Sequence, residues 1–448
     1  MGKLSIKVTS NAKYLSSFAG LHMFGDLVAK FQIRELFGPY LPKKSRDRGF
    51  SSFQKFYCGI LGFIAGAECL DNLDDLGRDP LFFDLTGSPS SITMGNFLRT
   101  FSLRSIEQIR AEIPGLALKM RLWLAPKTYK IVFKMDGTLH EQYGEKMEGV
   151  EYNYKNFRGL SSQNLFDEMG LCYGFSLRTG ATHSSVGAVE MLETAFKVIP
   201  RSIQKYFVAD TAYANLDVYN ALLNHNTNFA ICLPEVSWGP LLKNYGNKIT
   251  WQKTRIRFFD SDKCEIGDVI YARKGLSMGR TFLRVVFIRT KKKIMNPGDN
   301  HPYLYYAIVT NMSEAEMTNE KIVQFYRRRA QVENNIKDLK NGLDFHHFPC
   351  QSLKANNVWG LMGIIAYNLL RTVSFTLFPR TGCFIKTTRR RIVTLAGEVI
   401  SHARSIEIRM MEYIAKEVNR LRMIFSGSFF KAENAGSASP PNGGLGFA

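Results

Sequence analysis

Residues 326–340 read YRRRAQVENNIKDLK, a run without Pro or Gly and rich in good helix formers. Advanced at about 100° per residue, it separates into two adjacent stripes. Phe325, Val332, Ile336, Leu339 and Leu343 form an apolar one. Tyr326, Arg329, Glu333 and Lys340 fall within an arc of about 60° beside it. Such a helix buries one edge and carries a phenol, a guanidinium, a carboxylate and an ammonium along the other. A guanidinium offers a planar fork to a phosphate, and an ammonium offers a point charge. A carboxylate offers hard oxygen to a cation such as Mg2+. The plain alternative is a solvated face held by i,i+4 pairs. Spacing by itself leaves both readings open.

The pattern Tyr326-x2-Arg329-x3-Glu333-x6-Lys340 resembles the tyrosine–arginine–glutamate–lysine signature of bacterial insertion-sequence transposases. These are of the DDE class, with a ribonuclease-H-like catalytic core. Four fixed positions match a given window by chance roughly once in 10^5. The resemblance spans residues 20 to about 425 and implies two further carboxylates. Tyr129 to Met135, YKIVFKM, is β-rich and apolar enough for a central strand, expected to end at Asp136-Gly137-Thr138. Tyr206 to Ala209 reads as a short strand with Asp210 at its end. An acidic residue at a strand tip is usually a turn or cap residue. Two such residues with Glu333 on a later helix make the set that the resemblance implies.

Breaking a phosphodiester requires a deprotonated nucleophile, neutralisation at phosphorus and stabilisation of the departing oxygen. Two Mg2+ ions about 4 Å apart supply all three, and Mn2+ is expected to substitute. Asp136, Asp210 and Glu333 are then the expected catalytic residues and metal ligands, with Asp136 bridging the ions. Arg329, Lys340 and the Tyr326 hydroxyl are expected to hold DNA phosphates. No histidine base is called for, because a metal-bound water or a DNA 3′-hydroxyl attacks. The resemblance implies binding of terminal inverted repeats, cleavage at the ends and joining to target DNA by transesterification. Two readings stand beside it: a ribonuclease-H-like nuclease that never joins strands, and a non-catalytic DNA-binding protein derived from a transposase.

The elements that must position these residues follow in a consistent order. After the Asp136 strand come a hairpin about Gly170 (163–169 and 171–177), a helix over 186–198, the Asp210 strand, a helix from Asn215 and a strand over 229–233. The expected class is α/β: a ribonuclease-H-like core with an inserted β subdomain, a helical N-terminal domain and a helical C-terminal region. The boundaries are 1–125 for the helical DNA-binding domain, 126–234 for the first part of the core and 235–306 for the insert. The second part of the core follows at 307–378, then the helical region at 379–425 and a disordered tail at 426–448. The insert alternates in the β manner at 249–251, 255–259, 268–271 and 282–288. Its basic tip, Lys291, Lys292 and Lys293, suits phosphates. Trp238 and Trp251 read first as core; in relatives an aromatic of this insert helps to hold a flipped base. Near the N-terminus a helix capped by Ser90 or Ser91 would turn Ile92, Phe97, Leu98 and Phe101 inward. Thr93, Asn96 and Arg99 would then face out, as on a recognition helix or an ordinary surface helix. One or two amphipathic helices are expected over 392–424.

Charge points the same way. Among 448 residues, 59 Lys and Arg against 39 Asp and Glu give a net charge of +20. That balance favours double-stranded DNA, at transposon ends and target, over a membrane surface. A homodimer is expected in the DNA complex. Seven cysteines without a C-x-x-C pair indicate neither a disulfide framework nor a zinc ribbon. With no signal peptide discernible, a bacterial cytoplasm and its nucleoid fit. The apolar run 358–378 is long enough to span a membrane, but Asn368 and Arg371 interrupt it, favouring a buried helix behind that of Glu333. Adjacent His346 and His347 point in different directions on regular structure, so a shared metal is not expected.

Overall fold

The computed structural model describes residues 14–44, 48–144, 146–153, 155–258, 261, 263–292, 302–402 and 405–426. The chain is a mixed α/β protein whose residues cluster into two compact units, Ser102–Gly382 and the flanking segments up to Phe101 and from Cys383.

The middle unit is built on a mixed sheet, ten-stranded among the described residues. Its principal strands are β1 (Lys130–Glu141), β2 (Arg158–Phe166), β3 (Cys172–Thr179), β4 (Gln204–Ala209), β5 (Thr227–Cys232), β6 (Cys264–Ala272), β7 (Phe282–Lys291) and β8 (Tyr303–Thr310). They lie in the order β3-β2-β1-β4-β5-β8-β7-β6. Strand β2 is antiparallel to β1 and β3, whereas β1, β4 and β5 run parallel. Strands β8, β7 and β6 continue the sheet as antiparallel neighbours. The short strand Gln252–Thr254 adds to β6. The helices are α1 (Leu103–Leu124), α2 (Ala188–Lys197), α3 (Leu216–Asn224), α4 (Asn319–Arg327), α5 (Gln331–Leu343) and α6 (Leu353–Leu377).

Strand β1 is buried on both faces from Ile131 to Met135, which explains its almost unbroken apolar sequence. It does not end at Asp136, as the turn-like Asp-Gly-Thr had suggested. Parallel pairing with β4 stops at Lys134 opposite Val208. Antiparallel pairing with β2 carries on to Glu141 opposite Gly159. Asp136 therefore sits where β1 loses one of its two neighbours. The β2–β3 hairpin turns at Gly170 with φ +76°. A Cβ there would stand 2.8 Å from the Asn335 Oδ1, so both the left-handed backbone and the close approach call for glycine.

Helix α6 is long and apolar enough to cross a membrane, but its apolar window is entirely buried in the protein. Its polar interruptions serve the outer edge of β3. The Asn368 amide donates to the Cys172 carbonyl and accepts from the Cys172 N–H, each at 2.8 Å. About three turns earlier, Asn357 accepts from the Leu177 N–H at 3.2 Å and donates to its carbonyl at 3.0 Å. Two amides on one helix face thus satisfy backbone groups that another strand would otherwise pair.

In the other unit, Ser51 and Gln54 form a capping box at the start of helix Ser52–Ala65, and Ser90 caps helix Ser91–Arg99. Met94, Phe97, Leu98 and Phe101 are buried, at i, i+3, i+4 and i+7. Ile92 lies about 200° from Met94 and is 75% exposed, contrary to its expected inward position. Asn96 and Arg99 do face out. The region expected as one or two helices over 392–424 has a hairpin first, Gly397–His402 with Ser405–Arg409, and then helix Glu412–Ser426. SIEIR alternates with period two, as a strand does, and pairs with GEVISH. The expected tail lies, from residue 427, outside the described residues.

Candidate active site

Two residues beyond the Lys134–Val208 pair, Asp136 and Asp210 lie level at the same end of adjacent parallel strands. Each is pinned by one oxygen. The Asp136 Oδ1 accepts from the Gly137 N–H at 2.8 Å, and the Asp210 Oδ1 accepts from the Ala212 N–H at 3.0 Å, capping a short 3-10 turn. Among the described residues the second oxygen of each carboxylate makes no hydrogen bond. Burial pushes the Asp136 carboxyl up to about 7, and the Asp210 charge pushes the same way. Arg329 and the Gly137 N–H oppose the shift, while Glu333 adds to it. Two carboxylates set this close favour a shared proton or a bound cation.

Glu333 arrives on a broken helix. One continuous helix was expected over 326–340; instead α4 ends at Arg327, a 3-10 turn covers Arg328–Ala330, and α5 starts at Gln331. Helix α4 packs on β5 to β8, and α5 packs on β1 and β2. The tightened turn lies where the chain crosses from one half of the sheet to the other, a common use of such turns. The apolar stripe survives the break, with Phe325, Val332, Ile336, Leu339 and Leu343 all buried.

Four ties lay α5 along β1. The Lys134 ammonium donates to the Gln331 side chain, and Lys340 donates to the Leu139 carbonyl at 2.5 Å. Further on, the His140 ring meets the Phe345 carbonyl, and Gln142 donates to the His346 carbonyl at 2.9 Å. Strand positions 134, 139, 140 and 142 thus meet 331, 340, 345 and 346 in the same order. The first two ties bracket Asp136 on the strand and Glu333 on the helix. Lys134 is completely buried, and burial brings it down to about 8. Sequence reasoning missed its role; the signal was a lysine in the middle of an otherwise apolar strand.

Arg329 donates to the Glu333 Oε1 at 3.1 Å, so the i,i+4 pair of the plain reading is present. Burial works against the Arg329 charge, but Tyr326, Asp136, Glu333 and Asp210 together hold it above its ordinary pKa. The guanidinium therefore feels the charge of all three carboxylates, while bonding to Glu333. The Glu333 side chain is 60% exposed. Tyr326 is buried, its oxygen accepting from the Tyr306 hydroxyl at 2.9 Å; burial and the neighbouring Cys232 push it up to about 12. Lys340, engaged with Leu139, is brought down to about 8 by burial and by Lys155. Lys291 ends β7 opposite Tyr303, and Lys292 follows it. These positions extend past the level of Cys232, at the sheet end that carries the aspartates. Lys293 lies outside the described residues.

Among the described residues, no three His, Cys, Asp or Glu side chains are gathered closely enough to hold one metal ion. Glu333 is turned to Arg329, and the two aspartates form a pair. A family model described as Transposase DDE domain group 1 matches residues 1–424. The chain belongs to this family of DDE transposases. No curated protein matches it. In this transposase Trp238 is buried against Tyr305. Trp251 lies between Tyr305 and the Arg289 guanidinium, which stands 3.8 Å from its ring centroid. Arg289 also covers Tyr303 and is held by Glu265 at 2.8 Å.

Proposed function

We propose that this transposase binds the terminal inverted repeats of an insertion sequence, cleaves at the ends and joins them to target DNA. The reaction is phosphoryl transfer dependent on Mg2+, with Mn2+ as a substitute, and Asp136, Asp210 and Glu333 hold the ions. The observation that carries this reading is the level pair Asp136 and Asp210, each with an uncommitted oxygen and with Asp136 raised to about 7. Carboxylates are hard donors, and a divalent cation relieves the repulsion between them. The pair therefore fits the cation, with Glu333 the third donor once Arg329 releases it. The order β3-β2-β1-β4-β5, with only β2 reversed, supports a ribonuclease-H-like core.

Bound divalent ions supply charge neutralisation at phosphorus and a lowered pKa for the attacking hydroxyl. The rest is the work of the chain's own groups. Arg329 exchanges its carboxylate partner for a phosphate, to which its fork is matched. Tyr326 accepts from Tyr306 and keeps its own proton to donate to a phosphate. Lys340 and Lys134 hold α5 against β1. The net charge of +20 supports double-stranded DNA as the partner, with a homodimer in the complex and a cytoplasmic, nucleoid-associated setting. Within this proposal the first 125 residues bind the ends, and 235–306 form an insert whose basic tip meets the backbone.

The test is cleavage of an end-containing duplex, joined to a strand-transfer assay with precut ends. Ala at Asp136, Asp210 or Glu333 is expected to reduce both reactions to background while end binding persists in a mobility-shift assay. An unchanged cleavage rate in any of the three overturns that residue's assignment. Cleavage without joining by the intact chain favours the nuclease reading.

A further inference from the structure

Asn164 on β2 stands directly opposite Asp136 on β1. Directly opposed residues share a sheet face, with Cβ atoms about 4.5–5.5 Å apart. That face is the one covered by α5, because Lys134 and His140, in phase with Asp136, both bond to the α5 segment. Asn164 is completely buried, as are Ser162 and His140 next to it. The three are linked in a chain. The Asn164 Nδ2 lies 3.1 Å from the Ser162 Oγ, the Ser162 Oγ lies 2.8 Å from the His140 Nε2, and the His140 Nδ1 meets the Phe345 carbonyl.

The polarity of this chain is forced. A carbonyl only accepts, so His140 carries its proton on Nδ1 and leaves Nε2 bare. Burial keeps the ring neutral. The bare Nε2 takes the Ser162 proton, and the Ser162 oxygen takes an N–H from Asn164. An Asn amide can ordinarily be placed either way round, but here the reverse placement would set two proton-less oxygens against each other. The Asn164 Oδ1 is therefore fixed as an acceptor on the side away from Ser162. Among the described residues nothing donates to it, although a buried polar atom left without a partner is costly.

We propose that the Asn164 Oδ1 is a further oxygen ligand of the divalent-cation site at Asp136. It is a neutral hard donor of the kind that Mg2+ and Mn2+ accept, and its orientation is set in advance by a hydrogen-bond chain running back to the Phe345 carbonyl. The inference rests on the cation site proposed above and adds a residue outside the three carboxylates.

The experiment is Mn2+ binding to the full chain without DNA, read by electron paramagnetic resonance of the free ion, with circular dichroism to verify folding. N164A is expected to weaken Mn2+ affinity by about 10-fold or more. N164D keeps an oxygen and loses the N–H to Ser162, and it is expected to bind at least as tightly as the parent. N164A within twofold of the parent overturns the proposal. So does N164D weaker than the parent, since Asn164 would then serve only as a donor to Ser162. Should N164A fail to fold, N164D decides by the same criterion. D136A separates the two levels: if it leaves Mn2+ affinity unchanged, the cation site falls and this ligand with it. If D136A weakens binding and N164A does not, only the present inference falls.

Discussion

The strand-borne aspartates and the helix-borne glutamate are fixed by opposite means. Asp136 and Asp210 are each held by a backbone N–H just past the point where the parallel pairing of their two strands stops, where neither can move away from the other's charge. Glu333 is exposed and held by the Arg329 side chain, on a helix whose place is set by Lys134 and Lys340. The sheet thus stores a repulsion that a cation can relieve, while the helix keeps a carboxylate that can be released. The contrast should appear first in stability. A carboxyl whose folded pKa is about 7, against about 4 when unfolded, takes up a proton on folding. Its contribution is fully present below about pH 4 and is lost as pH rises through about 7. D136N removes that dependence. Without metal at pH 8 it is expected to be more stable than the parent by on the order of a few kcal/mol, with the difference closing toward pH 4. E333Q, at an exposed position, should change stability by no more than about 0.5 kcal/mol. Denaturant unfolding from pH 4 to 8 measures both, and equal stability of D136N and parent at pH 8 breaks the comparison.

The link between the two regions is Arg329, whose charge is felt by both aspartates while its guanidinium holds Glu333. R329A should lower single-turnover cleavage about 100-fold, some 2.7 kcal/mol, with little loss of folding stability. R329K keeps a charge but loses the fork, so it should recover only part of the rate. Full recovery by lysine would mean that charge alone is needed there and that the exchange of a carboxylate for a phosphate is not.

What could be read in advance was what local pattern determines. The apolar stripe from Val332 to Leu343, the β-rich run before Asp136 and the strand before Asp210 are all visible as periodicity and propensity. What could not be read depends on partners distant in sequence. The turn at Arg328–Ala330 exists because α4 and α5 serve different halves of the sheet, and nothing in YRRRAQ announces that. Strand β1 runs through Asp136 because β2 continues to pair with it, although Asp-Gly-Thr reads as a turn. Ser161 to Asn164 are all polar by type, yet all four residues are buried, because His140, Thr179 and Ser184 supply bonding partners. The same limit applies to Lys134, whose partner Gln331 lies almost two hundred positions away. At Gly397–Arg409 two short strands adjoin an amphipathic helix, and so few residues do not separate a strand period from a helical one.

The smallest expected effect tests how far the helix-borne side is organised from beneath. Tyr306 on β8 donates to the Tyr326 oxygen at 2.9 Å, and its ring lies against Phe258 and Tyr326. Y306F keeps the ring packing and removes only the donated proton. Tyr326 would then lose the bond that its oxygen accepts, at about 1 kcal/mol, or roughly fivefold in cleavage rate. If Tyr306 acts through that hydroxyl, the loss should vanish in a Y326F background, because there is then no oxygen to orient. Independent, additive losses in the double-mutant cycle would assign Tyr306 to packing instead. The orientation of Tyr326 would then have to come from Arg329 and the bound DNA.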